Sequence, residues 1–160
     1  MPDSKVVIPL TRGYKSVVDK IDSNLLSKYR WAVSVRNGKN YAKSCVDGKR
    51  VYMHRFLLGL EFGNRLQVDH IDNDGLNNTR ENLRTCTRSQ NYMNRIKSVG
   101  KTSKYKGVYF WKLRDKWGCK IKKDGETFHI GYFLSERDAA IAYNVMAIEK
   151  FGKFARLNAV

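Results

Sequence analysis

Asp69 and His70 stand side by side, Asn82 follows twelve residues after His70, and Asn91 comes nine residues later. Hydrolysis of a phosphodiester needs a base to take a proton from water and a cation to stabilise the departing oxygen, both gathered at one phosphate. An imidazole titrates near neutrality, which suits His70 to the first task. A carboxylate and an amide oxygen suit the second, because magnesium and manganese are hard ions that prefer oxygen ligands and keep several waters. Asp69 and Asn91 are the natural pair for such an ion, which leaves His70 as the base, since a metal-bound nitrogen accepts no proton. Neighbours on a regular strand point to opposite faces, so a site that uses both Asp69 and His70 requires the strand to end or bend there. The run Asp72-Asn73-Asp74-Gly75, rich in turn-formers, favours that. The plainer explanation of the same segment is a polar loop, and Asp72, Asp74, Asn77 and Asn78 are read as turn and capping residues.

The elements that must position these groups follow from pattern. A strand is expected over 66–70, then a long polar loop, a short strand over 83–86 and a helix over 87–97, with Thr87 or Ser89 as its cap. Upstream, residues 6–60 are strand-rich: WAVSV (31–35), YAKSCV (41–46) and RVYMHRF (50–56) carry β-formers, with Asn37-Gly38 and Asp47-Gly48 between them as hairpin turns. SVGKTSK (98–104) reads as a linker. Beyond it KGVYFW (106–111), KWGCKIKK (116–123) and TFHIGYF (127–133) are strand-like, and Asp124-Gly125 marks a turn. SERDAAIAYNVMAIEKFG (135–152) is a helix, with Ser135 and Asp138 as a capping box and Gly152 as its stop. Ala139, Ala142, Tyr143, Met146 and Ala147 share one face at helical spacing, small enough to sit close on a sheet. The predicted class is α+β: N-terminal antiparallel strands and a ββα core, then a small three-stranded antiparallel sheet packed on one helix. The predicted domains are 1–97 (strand-rich 6–60, core 61–97) and 105–160, joined by 98–104.

Charge narrows the partners. The chain of 160 residues carries a formal +16. Residues 1–100 hold 18 basic and 9 acidic groups, and residues 101–160 hold 13 and 6, so both parts are basic. Two basic folded parts suit a long polyanion touched at several places, each neutralised phosphate releasing counterions. No run approaches the ~18 apolar residues of a membrane helix, and MPDSKVVIPLTRGYK lacks the apolar core of a secretion signal. Cys45, Cys86 and Cys119 are odd in number and form no C-x-x-C pair, which argues for small buried thiols in a reducing, intracellular setting and against structural zinc. Double-stranded DNA is the expected partner; no membrane and no small-molecule cofactor are expected.

The segment DHIDNDGLNNTRENLRTCTRSQNYMN resembles the HNH endonucleases of the ββα-metal group, above all those of bacteriophage genomes and self-splicing introns, and MHR (53–55) resembles a segment preceding their nuclease core. The similarity covers roughly residues 6–97. It implies that His70 is the general base, that Asp69 and Asn91 hold one divalent cation, magnesium or manganese, and that Asn82 steadies the loop between the two strands. Asn91 in place of a histidine favours an oxygen-loving ion over zinc. The resemblance further implies a site-directed enzyme of the homing type, leaving a 5′-phosphate, at work in a phage-infected or intron-bearing bacterial cytoplasm as a monomer or weak dimer. For His54 two readings stand level: a phosphate contact beside Arg55 as fork donor, or a packed structural histidine.

A second resemblance covers residues 103–158. SKYKGVYF, KW, KIKK, HIGYF and the alanine-rich helix are similar to the APETALA/ethylene-response-factor DNA-binding domain, whose sheet lies in the major groove. Alignment carries the groove-facing roles onto Lys106, Tyr109, Trp111, Lys120, Lys122 and His129, while Trp117 suits the sheet core. Period-two spacing sets Lys120 with Lys122, and Tyr109 with Trp111, on one face of their strands. Several arginines of the plant pattern are Tyr109, Trp111, Lys120 or Thr127 here, so bidentate guanine readout is reduced and phosphate contacts should dominate. The rival from another class is a non-catalytic DNA-binding regulator built on an HNH scaffold; an RNA-binding protein stacking bases on Trp111 is a weaker third.

Overall fold

The computed structural model describes residues 4–96 and 102–160. Residues 98–101 of the expected linker, and Lys97 at the end of the expected third helix, lie outside the described residues. The chain forms two compact units, one ending at Thr87 and one beginning at Arg88. The class is α+β, with small antiparallel sheets and few helices.

In the first unit, β1 (Lys5–Pro9) pairs antiparallel with β2 (Lys15–Asp19), which runs directly into α1 (Lys20–Leu26). A three-stranded meander follows: β3 (Ala32–Arg36), β4 (Lys39–Val46) and β5 (Lys49–Tyr52). Its two turns are set by local chemistry. Asn37 and Gly38 sit at φ 51° and 72°, Asp47 and Gly48 at 48° and 73°, the left-handed pair that a two-residue hairpin with right-handed strand twist requires. Ala42, Ser44 and Val46 alternate inward along β4, and Val33 lies opposite Ala42.

After Tyr52 the chain does not continue as the strand expected through Phe56; it turns into the short helix α2 (Met53–Leu57). The reason is where the apolar side chains must go. Met53 and Leu57, four apart, both fill the core at 0% and 7% exposure, a spacing one helical face supplies and an alternating strand does not. Together with Leu10, Val18, Leu26, Trp31, Val33, Ala42, Val68 and Leu83 they make one core. Fully burying an aliphatic side chain of this size contributes about 1.5–3 kcal/mol. Strands β6 (Gln67–His70) and β7 (Leu83–Cys86) form an antiparallel ribbon whose Val68 and Leu83 enter that core, so the long loop between them is anchored on packed strands.

The second unit opens with α3 (Arg88–Met93), shorter than expected. Strands β8 (Val108–Trp111), β9 (Lys116–Lys123) and β10 (Glu126–Phe133) form an antiparallel sheet with β9 in the centre, and α4 (Glu136–Phe151) packs on it. The Ser135 side chain accepts from the Asp138 amide and caps α4. Ala139, Ala140, Tyr143, Ala147 and Phe151 are its buried face; Ala142 and Met146 are only partly covered. Gly107 is needed for that packing: it sits at φ +77°, and a Cβ there would meet the Tyr143 ring at 2.2 Å. Among the described residues no helix is long and apolar enough to cross a membrane.

Candidate active site

Strand β6 ends at His70, and the chain leaves it through a turn in which the Asn73 amide donates to the His70 carbonyl at 2.9 Å. Register pairs Asp69 with Arg84 and His70 with Leu83. Asp69 and His70 therefore keep the alternation of an ordinary strand, with different partners. Asp69 receives the Arg84 guanidinium, Nε at 2.8 Å and Nη2 at 2.6 Å, both on Oδ2. His70 sits among Asn78, Tyr41 and His54: Nε2 lies 3.1 Å from Asn78 Oδ1, and the ring centroids of Tyr41 and His54 are 6.0 and 5.0 Å away.

The loop from Ile71 to Asn82 is held by a chain of side-chain bonds. Asp72 Oδ1 accepts from the Asp74 amide, and Asp74 Oδ1 from the Leu76 amide, the local closures that suit aspartate to turns. Asn82, buried at the foot of β7, accepts from the Asp72 amide and donates to Asp72 Oδ1 and the Asn77 carbonyl. From outside the loop, β2 clamps it: Val17 N–H donates to Leu76 O and Asn78 N–H to Val17 O. Arg80 fixes the far end, its amide on Asp19 and its guanidinium forked on Asp22. Gly75 has no room for a side chain, since a Cβ would stand 2.3 Å from the Asn40 carbonyl and 2.7 Å from the Tyr41 ring.

Electrostatics follow the burial. His70 is 7% exposed, and burial lowers its pKa below the ordinary value, partly offset by the Asn78 bond and by the charges of Asp72, Asp69 and Asp74. His54 is pushed down to about 3 by burial, with the neighbouring His70 and Arg55 adding to the effect. Among the described residues its Nδ1 is buried with no hydrogen-bond partner. Burial pushes the Asp72 carboxyl up, but donors from Asp74, Asn77 and Asn82, with the charge of His70, leave it below the usual range. Burial holds Cys86 at about 11 and Cys119 at about 12, so neither thiol is activated; Cys45, expected buried, is exposed.

The residues singled out by sequence are distributed as follows. Asp69, His70, Asn82 and His54 come together in the first unit. His54 lies on α2 rather than on a strand, its ring stacked on Tyr52 at 5.5 Å. The Arg55 guanidinium donates to the carbonyls of Leu66 and Glu61 and so braces the following loop. Asn91 lies in α3 and is partly covered. In the second unit Tyr109, Trp111, Lys120, Lys122 and His129 fall on the sheet face away from α4. His129 pairs with Lys120, Tyr132 joins Tyr109 opposite Gly118, and the Trp111 and Tyr132 rings are 4.8 Å apart. Lys106 is the exception: its Nζ donates to the carbonyls of Met93 and Arg95, and burial, with the Arg156 charge, lowers its pKa to about 8. It closes the end of α3.

Three residues were not seen as part of the site. Arg84 becomes visible once the ribbon register is known, because it faces Asp69. Asn78 was read as a turn residue, and Ser16, 62 residues earlier, carried no signal at all.

Oxygen donors suit a hard divalent cation, and Arg84 engages one oxygen of Asp69. Among the described residues no group of three or more His, Cys, Asp or Glu is placed to hold a metal.

A family model described as HNH endonuclease matches residues 51–93, a span holding α2, β6, the loop, β7 and α3. A protein of Acanthamoeba polyphaga mimivirus, described as an uncharacterized HNH endonuclease, is 36% identical over 141 residues, covering 85% of this chain and 70% of that relative. The protein belongs to the HNH endonuclease family.

Proposed function

We propose that the protein is a DNA endonuclease of the homing type that hydrolyses a phosphodiester with His70 as general base. The observation that carries this reading is the state of that ring. It stands at the end of β6 with Nε2 on Asn78 Oδ1, and burial lowers its pKa below the ordinary value despite the aspartates around it. A neutral imidazole is the form that accepts a proton. His70 takes a proton from water, the resulting hydroxide attacks phosphorus, and the bond to the 3′-oxygen breaks to leave a 5′-phosphate. Asp69 and Asn91 would hold one magnesium or manganese ion, which when bound supplies Lewis-acid stabilisation of the departing oxygen. Asn82 fixes the loop behind the base.

The second unit supports duplex binding as a separate task. Its exposed sheet face carries Tyr109, Trp111, Lys120, Lys122 and His129, two of them lysines that can neutralise phosphates. Two joined weak binders gain through effective concentration.

The second reading, a non-catalytic DNA-binding regulator, is favoured by one pair of facts: Asp69 is bound to Arg84, and His70 is 7% exposed. Supercoiled plasmid separates the two. With magnesium or manganese the nuclease yields relaxed or linear DNA and EDTA stops it, whereas band shifts without product would support the regulator.

A further inference from the structure

Phe62 stands 95% exposed at the tip of the loop that joins α2 to β6. A lone surface phenylalanine is unremarkable where it can fold back onto the protein. This one is held away from it, because the chain on both sides is tied down. Leu58 and Leu60 pack against the core, and the Leu60 amide donates to the Arg55 carbonyl at 2.9 Å. The Arg55 guanidinium spans the base of the loop, Nη2 on the Glu61 carbonyl at 2.8 Å and Nη1 on the Leu66 carbonyl at 2.9 Å. Inside that clamp the Asn64 amide donates to the Glu61 carbonyl at 3.3 Å, and Gly63 takes φ +89°, the left-handed corner of a tight turn. Asn64 Oδ1 in turn accepts from the Leu66 amide at 2.9 Å. Phe62 is the outer corner of this closed turn.

We propose that Phe62 is a wedge that enters duplex DNA from the minor groove, partly unstacks one base step and kinks the helix. Charge and position name the occupant. Residues 50–66 carry Arg50, Arg55 and Arg65 against Glu61 alone, and residues 1–100 hold 18 basic and 9 acidic groups, so phosphates are drawn to the surface from which the ring stands out. The neighbours in the turn, Glu61, Gly63, Asn64 and Arg65, offer no broad apolar patch of the kind a protein interface uses. A single fixed ring on a basic surface suits a polyanion whose apolar part is a stack of bases. Helix α2 also carries His54, whose ring lies 5.0 Å from that of His70, so the braced loop and the candidate site share one support. From Phe62 to His70 the chain can reach at most ~28 Å, less than the ~34 Å of one DNA turn. The kink therefore falls within a turn of the phosphate that faces His70. The wedge rests on the reading that the protein binds duplex DNA, and not on cleavage.

The test uses the full chain in EDTA and a duplex of about 30 alternating T·A pairs, whose TA steps unstack most easily. The duplex carries 2-aminopurine in place of adenine at its centre and a fluorophore pair at its ends. Wild type and His70→Ala should both brighten the 2-aminopurine and bring the ends closer. Phe62→Ala should bind roughly 5-fold or more weakly and, at saturation, give neither signal. Its slope of log affinity against log salt should stay that of the wild type, since the ring carries no charge, and its urea midpoint should not move. Phe62→Leu, still an apolar wedge, should keep part of both signals. Wild-type brightening and bending by Phe62→Ala, or binding by the wild type without either signal, overturns the wedge. Lost self-association in Phe62→Ala with an unchanged 2-aminopurine signal assigns the ring to a second copy of the chain and overturns it too. Absence of any binding by the wild type overturns the wedge and the DNA reading together, whereas wild-type plasmid cutting by His70→Ala sinks only the assignment of the base and leaves the wedge supported by its own signals.

Discussion

Arg84 stands directly across the β6–β7 ribbon from Asp69 and closes Nε and Nη2 on the same carboxylate oxygen, at 2.8 and 2.6 Å. The side chains are 14% and 5% exposed, so this is a buried pair and not a surface one. Removing one partner of such a pair leaves an uncompensated charge, at a cost of about 3 kcal/mol or more. Arg84→Ala is expected to lose that much in urea unfolding. The double variant Arg84→Ala with Asp69→Asn should recover part of the loss, because no buried charge then remains.

Asn82 makes three hydrogen bonds to the loop it closes, accepting one from the Asp72 amide and donating to Asp72 Oδ1 and the Asn77 carbonyl. Asn82→Ala removes them all and leaves the Asp72 amide and the Asn77 carbonyl to find water. A loss of about 2 kcal/mol is expected, with faster amide hydrogen exchange at Asp72 and much reduced cleavage. Unchanged exchange would mean that other contacts hold the loop.

Stability should rise with pH on the acid side. His54 titrates near 3 in the folded protein against an ordinary 6.5. Between those values the unfolded chain binds a proton that the folded one refuses, so stability is complete above about 6.5 and lost progressively as pH falls toward 3. His70, also depressed by burial, acts in the same direction. His54→Phe should therefore flatten the pH dependence of the midpoint without abolishing it, which unfolding curves across this window will show. The same substitution removes the buried, unpartnered Nδ1.

Lys120 and Lys122 project from the exposed face of β9, and both are exposed. If each neutralises one phosphate, the variant with both changed to alanine should bind duplex more weakly. Its plot of log affinity against log salt should be shallower by about 2, at ~0.9 per phosphate. An unaltered slope would remove these lysines from the interface.

Much of the fold was legible because it is governed by neighbours in sequence. Asn37-Gly38, Asp47-Gly48 and Asp124-Gly125 are turns because those residues tolerate positive φ, and all three dipeptides adopt it. KWGCKIKK is β9 throughout, and Ser135 caps α4 where a serine before an alanine-rich run should. Failures came where tertiary packing decides. MHRFL is rich enough in bulky side chains to pass for a strand, and only the joint burial of Met53 and Leu57 makes it a helix. Nothing next to Lys106 or Arg55 in sequence announces the backbone carbonyls that accept from both. The setting of His70 was the least legible part, since Asn78 gains its meaning from Ser16 on a different hairpin.

A nuclease needs the His70 imidazole to do chemistry rather than pack. Single-turnover cleavage of supercoiled DNA by wild type and His70→Ala, with magnesium or manganese and at matched DNA occupancy, tests this most directly. The wild type should nick or linearise the plasmid, and the variant should bind equally well and cut at a rate lower by a factor of ~100 or more. Equal cutting by the two proteins would contradict the account.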